Sequence, residues 1–256
     1  MIANGTSVHP SGAPALWIYL LLLVVAQSTG MLFGATSLAL SHAALIVVLV
    51  NDHQWRAGAP GRDLRLILAL LSLACILTAL VSCGGRAQLV AYLLVYLVLL
   101  VGVGMAARFL RLGRAELGLR ADRWKRQALM AASGILLGAV AIAVVPAEFG
   151  LPAHDRTGAI ASVLVFAIVA ALSEEILLRG LLLGLAIRAL GARGILYSSC
   201  LGASLYLGSL SFSYVILILL TNLYFSWFVS RTRTIWGVVI AHSVMNLFLI
   251  DLWPIG

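Results

Sequence analysis

The chain has 256 residues, of which 62% are hydrophobic and only 10% charged, with 17 basic residues against 9 acidic ones and a net charge of +8. A soluble domain carries about 25% charged residues to solvate its surface. A water-soluble protein is therefore excluded, and an all-α, multi-pass membrane bundle is expected. The basic excess then reports either topology or nucleic-acid binding, and the position of the cations decides between them.

A membrane-spanning helix needs about 20 mostly apolar residues, with a range of about 17–25. Residues 15–50 form one charge-free run. As a single helix it would reach about 54 Å at about 1.5 Å per residue, against a hydrocarbon core of about 30 Å. A break is expected near Gln27-Ser28-Thr29-Gly30. Further spans are expected at 64–82, 88–109, 128–145, 157–187, 195–210, 212–229 and 235–252. The total is nine, or eight if the first run crosses once. The stretch 157–187 exceeds a straight crossing and should tilt or project from the bilayer.

With a cytoplasmic N-terminus in the nine-span map, fourteen of the 17 basic residues fall in inside loops or adjoining span ends. They are Arg56, Arg62 and Arg65; Arg108, Arg111, Arg114, Arg120, Arg123, Lys125 and Arg126; and Arg188, Arg193, Arg231 and Arg233. Arg86 and Arg156 fall outside, and Arg179 lies within a span. This asymmetry assigns the basic charge to membrane orientation and removes nucleic acid as an expected partner. The first fourteen residues carry no Lys or Arg, so no cleaved signal peptide is expected. Residues 111–127 mix charges with Leu112, Leu117, Leu119 and Trp124, and are expected to lie on the cytoplasmic interface as a short amphipathic helix. They divide a group of N-terminal spans, 1–110, from a second bundle, 128–256.

Among the acids, Asp52, Asp63, Glu116, Asp122, Glu148 and Asp155 fall in loops and Asp251 at the outer end of the last span. Only Glu174 and Glu175 lie deep in an apolar helix, with Arg179 close behind. Each such charge costs at least about 2.5–3.5 kcal/mol within a bilayer, so intramembrane charges are functional by default. Glu175 and Arg179 are four residues apart and can pair. Glu174 points about 100° away on a regular helix and lacks that neighbour. One carboxylate is thus held by Arg179, and the other is left to take and release a proton, as a general base does.

The last span offers His242 and Asn246, again four residues apart. Counted from the basic ends of their helices, Glu174 and His242 lie at depths of about 21 Å and 14 Å, at about 1.5 Å per residue. They can meet inside the bundle. A carboxylate with imidazole and carboxamide donors would activate water and stabilise an oxyanion.

Glu-Glu-x-x-x-Arg followed by glycine, with a later His-x-x-x-Asn, resembles the CPBP (Abi) family of CAAX-processing glutamic intramembrane proteases. Glu116-Leu-Gly-Leu-Arg120 with Trp124, and Arg231, Ile235 and Trp236 ahead of His242, resemble that family's flanking positions. The likeness spans roughly residues 115–250. It departs at the second motif, Phe-x-x-x-His, where this chain has Gly202 and Tyr206. The resemblance implies that Glu174 is the general base and that Glu175 with Arg179 orients and balances it. His242 and Asn246 would donate to the oxyanion, Tyr206 would position water or substrate, and no metal or other cofactor is required. The implied substrate is a membrane-associated protein or peptide: a prenylated C-terminus, a bacteriocin or pheromone precursor, or a hydrophobic sorting tail.

The remaining polar residues of the second bundle, Ser198, Ser199, Ser204 and Asn222, read as interhelical hydrogen-bonding groups. Gly134 with Gly138, and Gly180 with Gly184, read as sites of close helix approach. Cys75, Cys83 and Cys200 have neither disulfide nor zinc spacing. Two other functions compete: an inactive relative that binds peptides as an immunity protein or scaffold, and a proton-coupled transporter. The expected location is a prokaryotic inner membrane with the basic loops cytoplasmic. The sequence leaves the oligomeric state open.

Overall fold

A computed structural model describes residues 13–55, 61–81, 88–144, 156–209 and 211–251. Among these the chain is helical, without a strand. The elements are α1 (Ala13–Phe33), α2 (Ala35–Trp55), α3 (Arg62–Val81), α4 (Gln88–Phe109), α5 (Trp124–Val144), α6 (Arg156–Glu175), a π-helical segment (Ile176–Leu182), α7 (Leu183–Leu190), α8 (Arg193–Ser204), a 3₁₀ turn (Leu207–Ser209), α9 (Phe212–Thr232) and α10 (Trp236–Asp251). The N-terminal segment, Arg86, Cys83, Glu148 and Asp155 lie outside the described residues.

Six described helices, α1 to α5 and α9, are long and apolar enough to cross a membrane. Their outward faces carry bare hydrocarbon: Phe33, Leu40, Leu80, Met105, Leu129 and Phe212 are among many large apolar side chains left exposed. A soluble monomer rarely exposes apolar patches on this scale, whereas lipid solvates them. The chain is an integral membrane protein. One buried core runs through both halves, from Leu16, Leu64 and Leu68 across Leu177 and Leu181 to Leu201, Phe225 and Val238.

The first turn falls at Gly34, later than the expected 27–30. Ser28 and Thr29 return their hydroxyls to the carbonyls of Val24 and Ala26 at 2.8 Å, so both remain helical. Gly34 has φ +86°, a left-handed conformation that glycine adopts without steric cost. The expected span 157–187 is an unbroken helical run with the π-helical segment inside it. The expected span 195–210 is a correction: α8 has only 12 residues, about 18 Å at about 1.5 Å per residue, and is too short to cross.

Residues 110–123 form successive turns instead of the expected amphipathic helix. Arg111, Gly118 and Arg123 have positive φ and interrupt any helix there. Their carbonyls and side chains serve other loops. Gly118 O accepts from Ile235 N at 3.0 Å, Arg120 O accepts from Thr234 Oγ1 at 2.8 Å, and Arg123 donates to Arg231 O at 3.0 Å. Glu116 pairs with Arg188 at 3.1 Å. The segment thus clasps the α7–α8 and α9–α10 connections at one end of the bundle.

Gly134 presses on the backbone of Ala241, where an added Cβ would sit 2.5 Å from the carbonyl oxygen; α5 and α10 therefore meet backbone to backbone beside His242. Gly184, by contrast, has nothing within 4 Å and is no contact site, and Gly180 meets the Leu117 carbonyl of the clasp instead of a helix.

A buried ion pair joins α2 to α3. Asp52, read as a loop charge, and Arg65, read at the end of a span, both lie within these helices, with Arg65 Nε 2.6 Å from Asp52 Oδ2 and its side chain wholly buried. Tyr19 of α1 donates to the same oxygen at 2.6 Å.

Candidate functional site

The site is built on the π-helical segment. There the backbone admits an extra residue per turn and shifts the phase of the side chains that follow, a local irregularity frequent at functional sites. Glu175 closes α6, and Arg179 lies inside the π segment with its Nη1 2.9 Å from Glu175 Oε1. Arg179 also donates to Asn222 Oδ1 of α9, and its guanidinium stands over the Phe225 ring at 5.4 Å. Asn222 is fixed in turn by its Nδ2 donating to Ile218 O at 2.8 Å. His242 comes from α10, and its Nδ1 lies 2.7 Å from the same Glu175 oxygen that meets Arg179. Glu175 is fully buried with two basic partners.

Glu174 is placed differently. It has no guanidinium partner. Tyr96 of α4 donates to its Oε1 at 2.7 Å, Tyr206 lies 3.4 Å from Oε2, and His242 Nε2 lies 3.8 Å from Oε2. The imidazole therefore spans the two carboxylates, touching Glu175 through one nitrogen and facing Glu174 with the other. The backbone beneath is anchored as well: Ser173 Oγ donates to Tyr96 O at 3.1 Å, tying α6 to α4 one residue before the acid.

Two cavities meet at this carboxylate. One, of about 20 Å³, is bounded by Glu174, Glu175, Tyr206, Asn222 and His242 among others. That is room for a single water with several polar partners. It also adjoins Glu175, whose Oε2 is buried without a hydrogen-bond partner. The other cavity, of about 480 Å³, is mostly apolar, with Leu71, Val95, Leu99 and Leu177 in its wall. It is lined by α1 to α4, the π segment and the end of α8, and Glu174 is the one charged residue among the described residues that line it. A space of this size and character suits an apolar chain.

Of the six residues singled out in the sequence, five come together: Glu174, Glu175, Arg179, Tyr206 and His242. Asn246 stands one turn beyond His242, partly exposed, and no hydrogen bond in the structure joins it to the cluster. The carboxamide at the cluster is Asn222, which sequence reasoning assigned to helix packing. Tyr96 was missed altogether. A signal for Asn222 existed in the adjacent polar pair Thr221-Asn222 within an apolar helix; Tyr96, in a helix of leucines and valines, gave none. The divergence at the second motif has a steric basis. A Cβ on Gly202 would meet Asn222 Oδ1 at 2.6 Å, so the carboxamide that holds Arg179 occupies the space a phenylalanine would need. The cluster is a buried acid–base assembly with one carboxylate held without a guanidinium and bordering both cavities. No group of three or more His, Cys, Asp or Glu residues arranged to hold a metal occurs among the described residues.

Residues 156–248 match a family model described as Rce1-like, type II CAAX prenyl endopeptidase Rce1-like. The match begins at α6 and ends in α10, leaving the clasp and α1 to α5 outside it. Neither the curated proteins nor the solved structures gave a match to the chain. The matched family is one of membrane peptidases, and all five clustered residues fall within the match. Over residues 156–248 the chain is similar to the type II CAAX prenyl endopeptidase, Rce1-like family, with tyrosine at position 206 where the second motif of the resemblance has histidine.

Proposed function

We propose that this protein is an intramembrane glutamic endopeptidase, in which Glu174 activates water to hydrolyse a peptide bond of a membrane-associated protein or lipidated peptide. The reading rests on one observation: Glu174 borders both a water-sized cavity with polar groups in its wall and an apolar cavity able to take a substrate chain. In the reaction Glu174 takes a proton from water and the hydroxide oxygen bonds to the scissile carbonyl carbon. His242, as imidazolium, and the Tyr206 hydroxyl donate to the oxyanion. The C–N bond then breaks and Glu174 returns its proton to the leaving amine, so the carboxylate serves as base and then as acid. Glu175 and Arg179 fix the imidazole and balance its charge. Asn246, further along α10, is assigned to the substrate chain. No metal enters this scheme.

The substrate is an apolar or lipidated segment delivered from the bilayer: a prenylated C-terminus, a peptide precursor or a hydrophobic sorting tail. The basic loops clasped at one end of the bundle face the cytoplasm of a prokaryotic inner membrane. The test compares new membrane-protein termini, read by mass spectrometry, in cells expressing wild type or Glu174→Ala at equal level. The reading expects termini that vanish in the variant. Identical sets would refute it and favour a peptide-binding relative without catalysis.

A further inference from the structure

The base carboxylate has two oxygens in unlike surroundings. Oε2 faces His242 Nε2 at 3.8 Å and Tyr206 at 3.4 Å, and both residues border the water-sized cavity. Oε1 receives a short hydrogen bond, 2.7 Å, from the hydroxyl of Tyr96. A tyrosine hydroxyl that donates to a carboxylate makes a charge-assisted bond, stronger and more directional than a neutral one. It removes one oxygen from competition for water and stops rotation of the carboxylate about its Cγ–Cδ bond. Only Oε2 is then left to accept a water proton.

The mounting of Tyr96 supports this. Its ring packs edge-on against Phe166 of α6 with centroids 5.7 Å apart, and its carbonyl accepts from Ser173. Three contacts thus lock one residue of α4 to α6 around Glu174. Tyr96 also lines the large cavity, so its hydroxyl lies where a substrate chain would meet the acid. The residue belongs to the part of the chain outside the family match.

We propose that Tyr96 is a positioning residue that fixes Glu174 by its hydrogen bond to Oε1 and selects Oε2 as the base, so that α4 completes an active site otherwise carried by α6 to α10. This rests on the endopeptidase reading of Glu174.

The test uses the full chain in detergent. Tyr96→Phe removes the hydroxyl and keeps the ring, and Tyr206→Phe and Glu174→Gln serve as references. With an internally quenched peptide carrying a farnesylated cysteine as probe, kcat in Tyr96→Phe should fall by about tenfold to a hundredfold, the range for losing a hydrogen bond to a charged group. KM should stay within about twofold, because ring packing and cavity shape persist. Infrared difference spectra without substrate give an independent reading. The carboxylate band lost in Glu174→Gln should shift in Tyr96→Phe. An unmoved band overturns the hydrogen bond, whatever the peptide assay gives. A shifted band with kcat unchanged, while Glu174→Gln is inactive, overturns the role of Tyr96 and leaves the endopeptidase reading standing. A probe cleaved equally by wild type and Glu174→Gln removes that reading and Tyr96's catalytic role with it.

Discussion

Two buried arginine–carboxylate pairs occur among the described residues, and they differ in what surrounds them. Between α2 and α3, Arg65 meets Asp52, and the Tyr19 hydroxyl caps the same carboxylate oxygen. Neither Asp52 nor Arg65 lines the cavity that ends on Glu174. Between α6 and α10, Arg179 meets Glu175, but a second acid stands next to it, a histidine bridges the two, and two cavities converge there. A balanced pair in a low-dielectric interior is sufficient to join two helices. An additional carboxylate carries a desolvation cost that packing alone does not offset, which supports the role proposed for Glu174. On the proposed reading, the same pairing chemistry serves assembly in one region of the molecule and reactivity in the other.

The contrast breaks most severely at Glu175. Glu175→Gln leaves Arg179 buried without its carboxylate and His242 without its partner. Proteolysis should fall by about a thousandfold or more, and unfolding stability by about 3–5 kcal/mol, the usual cost of removing one member of a buried pair. Peptide turnover and a denaturant titration in mixed micelles measure both. At the other pair, Asp52→Asn should lower stability by a similar 3–5 kcal/mol while turnover per folded molecule stays at the wild-type rate. A loss of turnover in the folded fraction would mean that the N-terminal pair also serves the reaction.

Smaller effects sharpen the picture within the site. Tyr206→Phe removes the hydroxyl assigned to the oxyanion and should slow turnover by about a hundredfold, the lower end of the cost of losing one such donor. Asn246→Ala should do least, raising KM by about threefold with kcat nearly unchanged, because nothing ties that carboxamide to the carboxylates. A loss of kcat near a hundredfold would instead make Asn246 an oxyanion donor that engages once substrate is bound.

The matched region, residues 156–248, was the more legible in the sequence. Charges in an apolar helix are conspicuous, and the four-residue spacings of Glu175 with Arg179 and of His242 with Asn246 follow from helical geometry. That reasoning found five clustered residues because the penalty for burying charge is large and local. It overreached at Asn246, since sharing a helix face with His242 does not ensure reaching the same cavity. It missed Tyr96 because a lone hydroxyl in a lipid-exposed sequence costs little and stands out against nothing. The helix count suffered likewise: hydropathy could not distinguish the 12-residue α8 from a full span, because the apolar stretch continues through the turn at Leu205–Tyr206. The turn at Gly34 was displaced by hydroxyls that bond back to their own helix and so do not break it.

The most direct test sets the two regions against each other in one preparation, comparing turnover of the farnesylated probe and the unfolding midpoint for Glu174→Gln and Asp52→Asn. The account predicts that Glu174→Gln loses turnover by about a hundredfold to ten-thousandfold, the contribution of general acid–base catalysis, with its midpoint unchanged or raised. Asp52→Asn should show the reverse, a lowered midpoint and full turnover. Wild-type turnover by Glu174→Gln, or an equal loss of midpoint in both variants, would contradict the assignment of Glu174 as the carboxylate reserved for chemistry.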